Sequence, residues 1–195
     1  FDLSLFEETL KAIQWLRTNL SKEEKAVLND ILTEVSAEGK FEIDSLSLGK
    51  DAETLGTFET LLNYTLYSKK LSSKEPDKGK EYFFYFDEAN QKFKDLDLLK
   101  NILKAVVRLK QNKEIVNELF AKISDNKFNL ENLYVAKDAH STGTFELLLD
   151  TLLFAKDVKD IDKQKGQQFW YYDGKKDFDL SLFEETLKAI KWLRT

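Results

Sequence analysis

In the first eighteen residues the apolar positions Leu3, Phe6, Leu10, Ile13 and Leu16 recur three and four apart, the spacing of a helical stripe. Ser4 followed by Glu7 reads as a capping box at the start of that helix, repeated at Ser181 and Glu184. Ser21 with Glu24 marks a second helix, whose apolar face is Val27, Leu28, Ile31, Leu32 and Val35. Gly39 closes it, because glycine most readily takes the left-handed backbone of a helix C-terminus. Phe41, Ile43, Leu46 and Leu48 then alternate with polar residues, which predicts a strand or extended segment. A third helix from about Thr57 turns Phe58, Leu61, Leu62, Thr65 and Leu66 inward. A lysine-rich loop with the sole proline, Pro76, leads to Tyr82-Phe83-Phe84-Tyr85-Phe86, an aromatic strand of a hairpin.

This pattern returns along the chain. FDLSLFEETLKAIQWLRT at 1–18 reappears at 178–195, offset by 177, with Gln14 in one copy and Lys191 in the other as the sole difference. A more diverged period lies inside it: KDAETLGTFETLL at 50–62 aligns with KDAHSTGTFELLL at 137–149, an offset of 87. VLNDILTEVS (27–36) matches IVNELFAKIS (115–124), and KFEIDSLSLG (40–49) matches KFNLENLYVA (127–136). DLDLLKNILKAVVRL (95–109) matches DLSLFEETLKAIKWL (179–193). Asn126 stands where the first copy has Gly39, and Phe169-Trp170-Tyr171-Tyr172, followed by the turn Asp173-Gly174, stands for the aromatic strand. The chain therefore reads as an excerpt of a longer repetitive protein. Module 1 is residues 1–92, module 2 is residues 93–177, and 178–195 is the first helix of a further unit.

The expected fold is α+β and helix-dominated, a tandem repeat of helix-helix-strand-helix-β-hairpin modules. This order, carried by ILTEVSAEGKFEIDSLSLGKDAETLGTFETLLNYTL and the aromatic hairpin after it, resembles a winged-helix layout. It departs from that layout at 44–49, which alternates with period two where a winged helix has a short helix. The resemblance implies a module that binds nucleic acid or protein.

Charge decides between those two partners. The chain carries a net charge of −5, and the third helices with the stretches around them hold Glu53, Glu59, Glu146, Asp150 and Asp157 against Lys69, Lys70 and Lys156. Phosphate repulsion disfavours DNA and leaves a protein partner. The absence of cysteine excludes disulfides, thiolate metal sites and cysteine nucleophiles. With no methionine either, the chain fits an extracellular or cell-surface setting, and a cytoplasmic one stays open. Its apolar runs are too short to span a bilayer.

Candidate chemistry is thin. His140, the single histidine, has no motif partner and aligns with Glu53, which reads as a solvated side chain. Gly56-Thr57 and Gly143-Thr144 open helices without phosphate-loop spacing, so each threonine is expected as an N-cap. Asp157, Asp160 and Asp162 do not follow a calcium-loop spacing. Glu7/Glu8, Glu23/Glu24 and Glu184/Glu185 fall in first helical turns, where the macrodipole favours negative charge. The expectation is a non-enzyme with no catalytic residue, cofactor or metal. Interface candidates are Trp15, Tyr82, Phe84 and Phe86 in the first module, with Phe169, Tyr171, Phe183 and Trp192 beyond it. The expected function is a structural repeat unit of a stalk, fibre or scaffold, with neighbouring repeats as partners and a homo-oligomer or filament as product. The alternative is a tandem winged-helix-like module that binds a protein.

Overall fold

Helices dominate the computed structural model, taking 68% of the residues it describes. Those residues are 3–37, 39–51, 53–66, 86, 87, 92, 93, 96–137, 141–153 and 179–195. Among them the chain runs α1 (Leu3–Asn19), α2 (Lys22–Thr33), α3 (Thr57–Leu61), α4 (Leu96–Leu109), α5 (Lys113–Ala121), α6 (Thr144–Leu148) and α7 (Ser181–Arg194). A π-helical turn continues α3 through Leu62–Leu66 and α6 through Leu149–Leu153, so the second module reproduces the first down to this irregularity.

Several local expectations hold. The Glu24 N–H donates to Ser21 Oγ at 3.1 Å while the Ser21 N–H donates to the Glu24 carboxylate at 2.9 Å, a complete capping box. Gly39 and Asn126 both have positive φ, 78° and 62°, at the ends of the equivalent helices. Other caps differ. Helix α1 starts at Leu3 and α7 at Ser181, so Ser4 and Ser181 lie inside the helices, and the Ser181 N–H donates to Asp179 instead. The caps of α3 and α6 are Gly56 and Gly143, not the threonines. A Cβ at either glycine would collide with the carbonyl oxygen of Ser47 or Tyr134. The threonines are buried and serve a neighbouring segment, as follows.

The α+β expectation, and the winged-helix layout with it, is overturned. Residues 41–48 form no strand, because side chains take the backbone donors that a ladder would need. The Phe41 N–H donates to Thr33 Oγ1, the Ile43 N–H to Asn29 Oδ1 at 2.9 Å, and the Ser47 N–H to Thr57 Oγ1 at 2.8 Å. The Gly49 N–H ends the series on the Glu59 carboxylate. The alternation in the sequence is thus real as burial, with Phe41 and Ile43 inside, yet it belongs to an irregular bracket clamped onto α2 and α3. Module 2 repeats the clamp with Leu130 N–H on Asn117 Oδ1, Tyr134 N–H on Thr144 Oγ1, and Ala136 N–H on Glu146 Oε1. Strand pairing among the described residues is one antiparallel ladder of two residues a side, Phe86–Asp87 with Lys92–Phe93, too short to form a sheet layer. The aromatic stretches at 82–85 and 169–172 lie outside the described residues.

The two modules share one core. A single cluster of buried side chains runs from Ala12 and Leu16 on α1, through α2 and α4, to Phe183 and Leu187 on α7. Helix α4 of module 2 lies against α2 of module 1, and the Val135 N–H donates across the boundary to Ile31 O at 3.0 Å. The bracket is the element that positions this contact, and the asparagine beneath it is its anchor. We expect Asn29→Ala or Asn117→Ala to lower stability by about 1–2 kcal/mol, the cost of leaving a part-buried N–H without its acceptor, measured as a shift in urea midpoint.

Candidate functional site

One helical sequence occurs here in three settings, and its burial changes with its neighbours. Its apolar residues span a wide arc that divides into two adjoining faces. On α1 the face of Thr9, Ala12, Ile13 and Leu16 is buried, while Leu3, Phe6 and Leu10 are exposed. On α7 the assignment reverses: Leu180, Phe183 and Leu187, the counterparts of those three, are buried. Phe6 is 48% exposed and Phe183 4%; Leu16 is fully buried and its twin Leu193 is 74% exposed. In the middle copy, α4, both faces are covered, with Leu99 and Leu103 buried on one and Ala105, Val106 and Leu109 on the other. The expectation of one inward stripe over Leu3–Leu16 is therefore corrected. Half of the arc serves the helix's own module and half serves the module before it.

The bracket shows the same dependence. Val135 is 1% exposed beneath the end of α2, whereas Leu48, its counterpart in module 1, is 67% exposed. On the opposite side Ile31, whose carbonyl accepts the Val135 N–H, is buried, and its counterpart Leu119 on α5 is 52% exposed. Each end of the chain thus displays the residues that the internal junction hides.

Charges flank the junction in matched pairs. Arg108 on α4 holds Glu184 of α7 at 2.8 Å, and Arg194 of α7 forms a two-pronged pair with Glu118 of α5 at 2.8 and 2.9 Å. One module earlier the corresponding positions are Trp15 with Lys100 and Asp30 with Lys110. Burial raises the Asp30 carboxyl above the usual carboxylate range, and the Lys110 charge opposes that rise. The Arg194–Glu118 pair is solvent-exposed and the Arg108–Glu184 pair half-buried, and pairs so placed act more on register than on stability.

Beneath the module 2 bracket lies Glu146, 2% exposed, whose Oε1 accepts the Ala136 N–H at 2.8 Å. Burial pushes its carboxyl up to about 7; the Asp150 carboxylate adds to the rise, and the amides of Ala136, Glu146 and Gly143 oppose it. Its counterpart Glu59 is only half-buried. The difference follows from what lies over each bracket: the end of α2 in one case, solvent in the other. Tyr134 reports the same environment, its hydroxyl raised by burial and by the nearby Glu34 and Glu146 carboxylates.

Of the aromatic interface candidates, Phe183 is buried in the junction, Trp15 is half-buried against the core, and Trp192 projects into solvent at 77% exposure. Phe86 is in register with Phe93 in the short ladder. Tyr82, Phe84, Phe169 and Tyr171 lie outside the described residues, as do His140, Asp157, Asp160 and Asp162. The paired acids separate in role: Glu8 pairs with Lys11, Glu24 completes a cap, Glu184 meets Arg108, and Glu185 pairs with Lys188. Among the described residues no group of three or more potential ligands gathers for a metal, and no helix is long and apolar enough to cross a membrane. The exchange of Trp15 and Trp192 for Arg108 in the middle copy marks that position in the sequence as an interface rim or surface. Sequence reasoning missed Leu48, Leu119, Glu118 and Glu146, and the parallel exchange of Lys100 for Glu184 was the available signal for Arg108's partner.

No protein-family model matches the chain, and neither a curated protein nor a solved structure gives a significant match. The junction therefore stands on its own geometry.

The raised Glu146 pKa fixes the sign of a pH dependence. The folded state binds this proton more tightly than the unfolded chain. Its contribution is fully present below pH 4.5 and is lost as pH rises to about 7, by roughly 3 kcal/mol. We expect Glu146→Gln to match the parent near pH 4.5 and to exceed it in urea midpoint at pH 8, flattening the profile between.

Proposed function

We propose that this chain is a structural repeat unit of a longer repetitive protein, whose modules stack end to end through a shared helix. The observation that carries the proposal is the fate of that helix: buried on one face at each end, on different faces, and on both in the middle. A bead on a string would bury the same face in every copy. Here each module completes its core with the first helix of the next, the arrangement of a quasi-one-dimensional stack with nearest-neighbour coupling. The bracket, present in both modules, and the cross-module bond from Val135 to Ile31 support a set translation from one module to the next. The product is a stalk, fibre or scaffold built from neighbouring repeats.

Coupling of this kind has a thermal signature. A chain in which residues 1–177 occur twice in tandem before 178–195 should melt in one transition, at a higher temperature than the single unit. Independent melting at the single-unit temperature would rule out stacking. Deleting 178–195 should remove roughly 3 kcal/mol or more from module 2, since Leu180, Phe183 and Leu187 leave the core. An unchanged melting temperature would remove the shared helix.

A further inference from the structure

Resting on the stacking reading, the geometry points to a second copy of this chain as the occupant of the outgoing end: its α1 takes the place of α7 on module 2, and its bracket covers α5. Helix α7 fills that place incompletely. It supplies Leu180, Phe183 and Leu187, yet Leu119 and Ile123 on the outgoing side stay exposed. At the internal junction the counterpart of Leu119 is covered by a bracket, which α7 alone does not carry. An incoming copy brings both parts, Leu3, Phe6 and Leu10 on α1 and Leu48 on its bracket, all of them exposed.

Helix α1 is also the better anchored of the two near-identical helices. Ala12, Ile13, Leu16 and Leu20 are buried in its own module, and the Arg17 Nε–H donates to Ile43 O at 2.8 Å. On α7 the matching Ala189 and Leu193 are open to solvent. Exchange replaces a helix with the same helix joined to a folded module, covering apolar surface at both ends that otherwise faces water.

Charge sets the register of the exchange. Arg108 and Glu118 hold Glu184 and Arg194 of α7, and the same positions of α1 are Glu7 and Arg17. Arg194 binds Glu118 through its two terminal nitrogens, whereas Arg17 binds Ile43 through Nε, so the two demands use different nitrogens. The same positions of α4 are Lys100 and Lys110, and Lys100 would meet Arg108 with like charge. The outgoing face of module 2 therefore accepts α1 and rejects α4, so that copies join whole unit to whole unit. Such an interface is heterologous and open-ended.

The test uses the full 195-residue chain in sedimentation velocity over a concentration series, with Leu48→Glu and Leu119→Glu as exposed variants that leave the monomer's melting unchanged. The parent should form growing oligomers. Each variant alone should lose association by at least about tenfold, because one face of every junction is blocked. Mixed, the two should form a one-to-one dimer and nothing larger, since one intact face remains on each. Glu7→Arg should weaken assembly about tenfold, because α7 keeps Glu184 on Arg108 while the incoming α1 meets it with like charge, and Arg108→Glu on the accepting chain should restore it. A parent that stays monomeric, oligomers indifferent to both variants, or a mixture that grows past dimers would overturn the proposal. Absence of rescue would overturn the register. A monomeric parent beside a tandem chain of raised melting temperature defeats the exchange alone and leaves stacking within one chain intact; failure of both removes both.

Discussion

Everything in this molecule depends on one helix having more apolar surface than one neighbour can cover. A surface helix usually buries a single stripe and solvates the rest. Here the arc from Leu3 to Leu16 spans two adjoining faces, and the middle copy shows the satisfied state: Leu99 and Leu103 covered on one, Val106 and Leu109 on the other. A helix of that kind has no complete environment inside one module. Its demand for a second partner makes the modules one core, and it makes the ends of any finite piece incompletely covered.

Much of the helical scaffold was legible from sequence, because it rests on short-range chemistry. The capping box at Ser21 and Glu24, the left-handed Gly39 and Asn126, and the offset of the repeats all follow from residue types at fixed spacing. The strand at 41–48 was misread because alternation reports which side chains are buried, and it is silent on where the backbone donors go. Asn29 and Thr57 take them, and both lie more than ten residues from one end of the segment or the other. The division of the α1 stripe was invisible for a different reason. Period 3.6 locates apolar residues on a helix, but only packing shows that one arc is shared between two modules.

The charged positions around the junction illustrate a further limit. Glu184 and Arg194 look like ordinary helix-surface charges, and their pairing with Arg108 and Glu118 spans up to 76 residues of chain. Glu146 looks equally ordinary, and its counterpart Glu59 makes the same backbone contact while remaining half-buried. The two glutamates, alike in type and in backbone partner, differ in how far their surroundings desolvate them.

The bracket has a consequence for how a chain of near-identical repeats avoids tangling. Extended segments with free N–H and C=O groups are templates for edge pairing, and repeated copies multiply the opportunities for one to find another. In this fold the donors of Phe41, Ile43, Ser47 and Gly49 are already engaged by asparagine, threonine and glutamate side chains of the same module. A segment with strand-like alternation is thereby withdrawn from β-pairing before any neighbour arrives. Four side chains in each module hold these donors, so the segment has few N–H groups left for cross-pairing between copies.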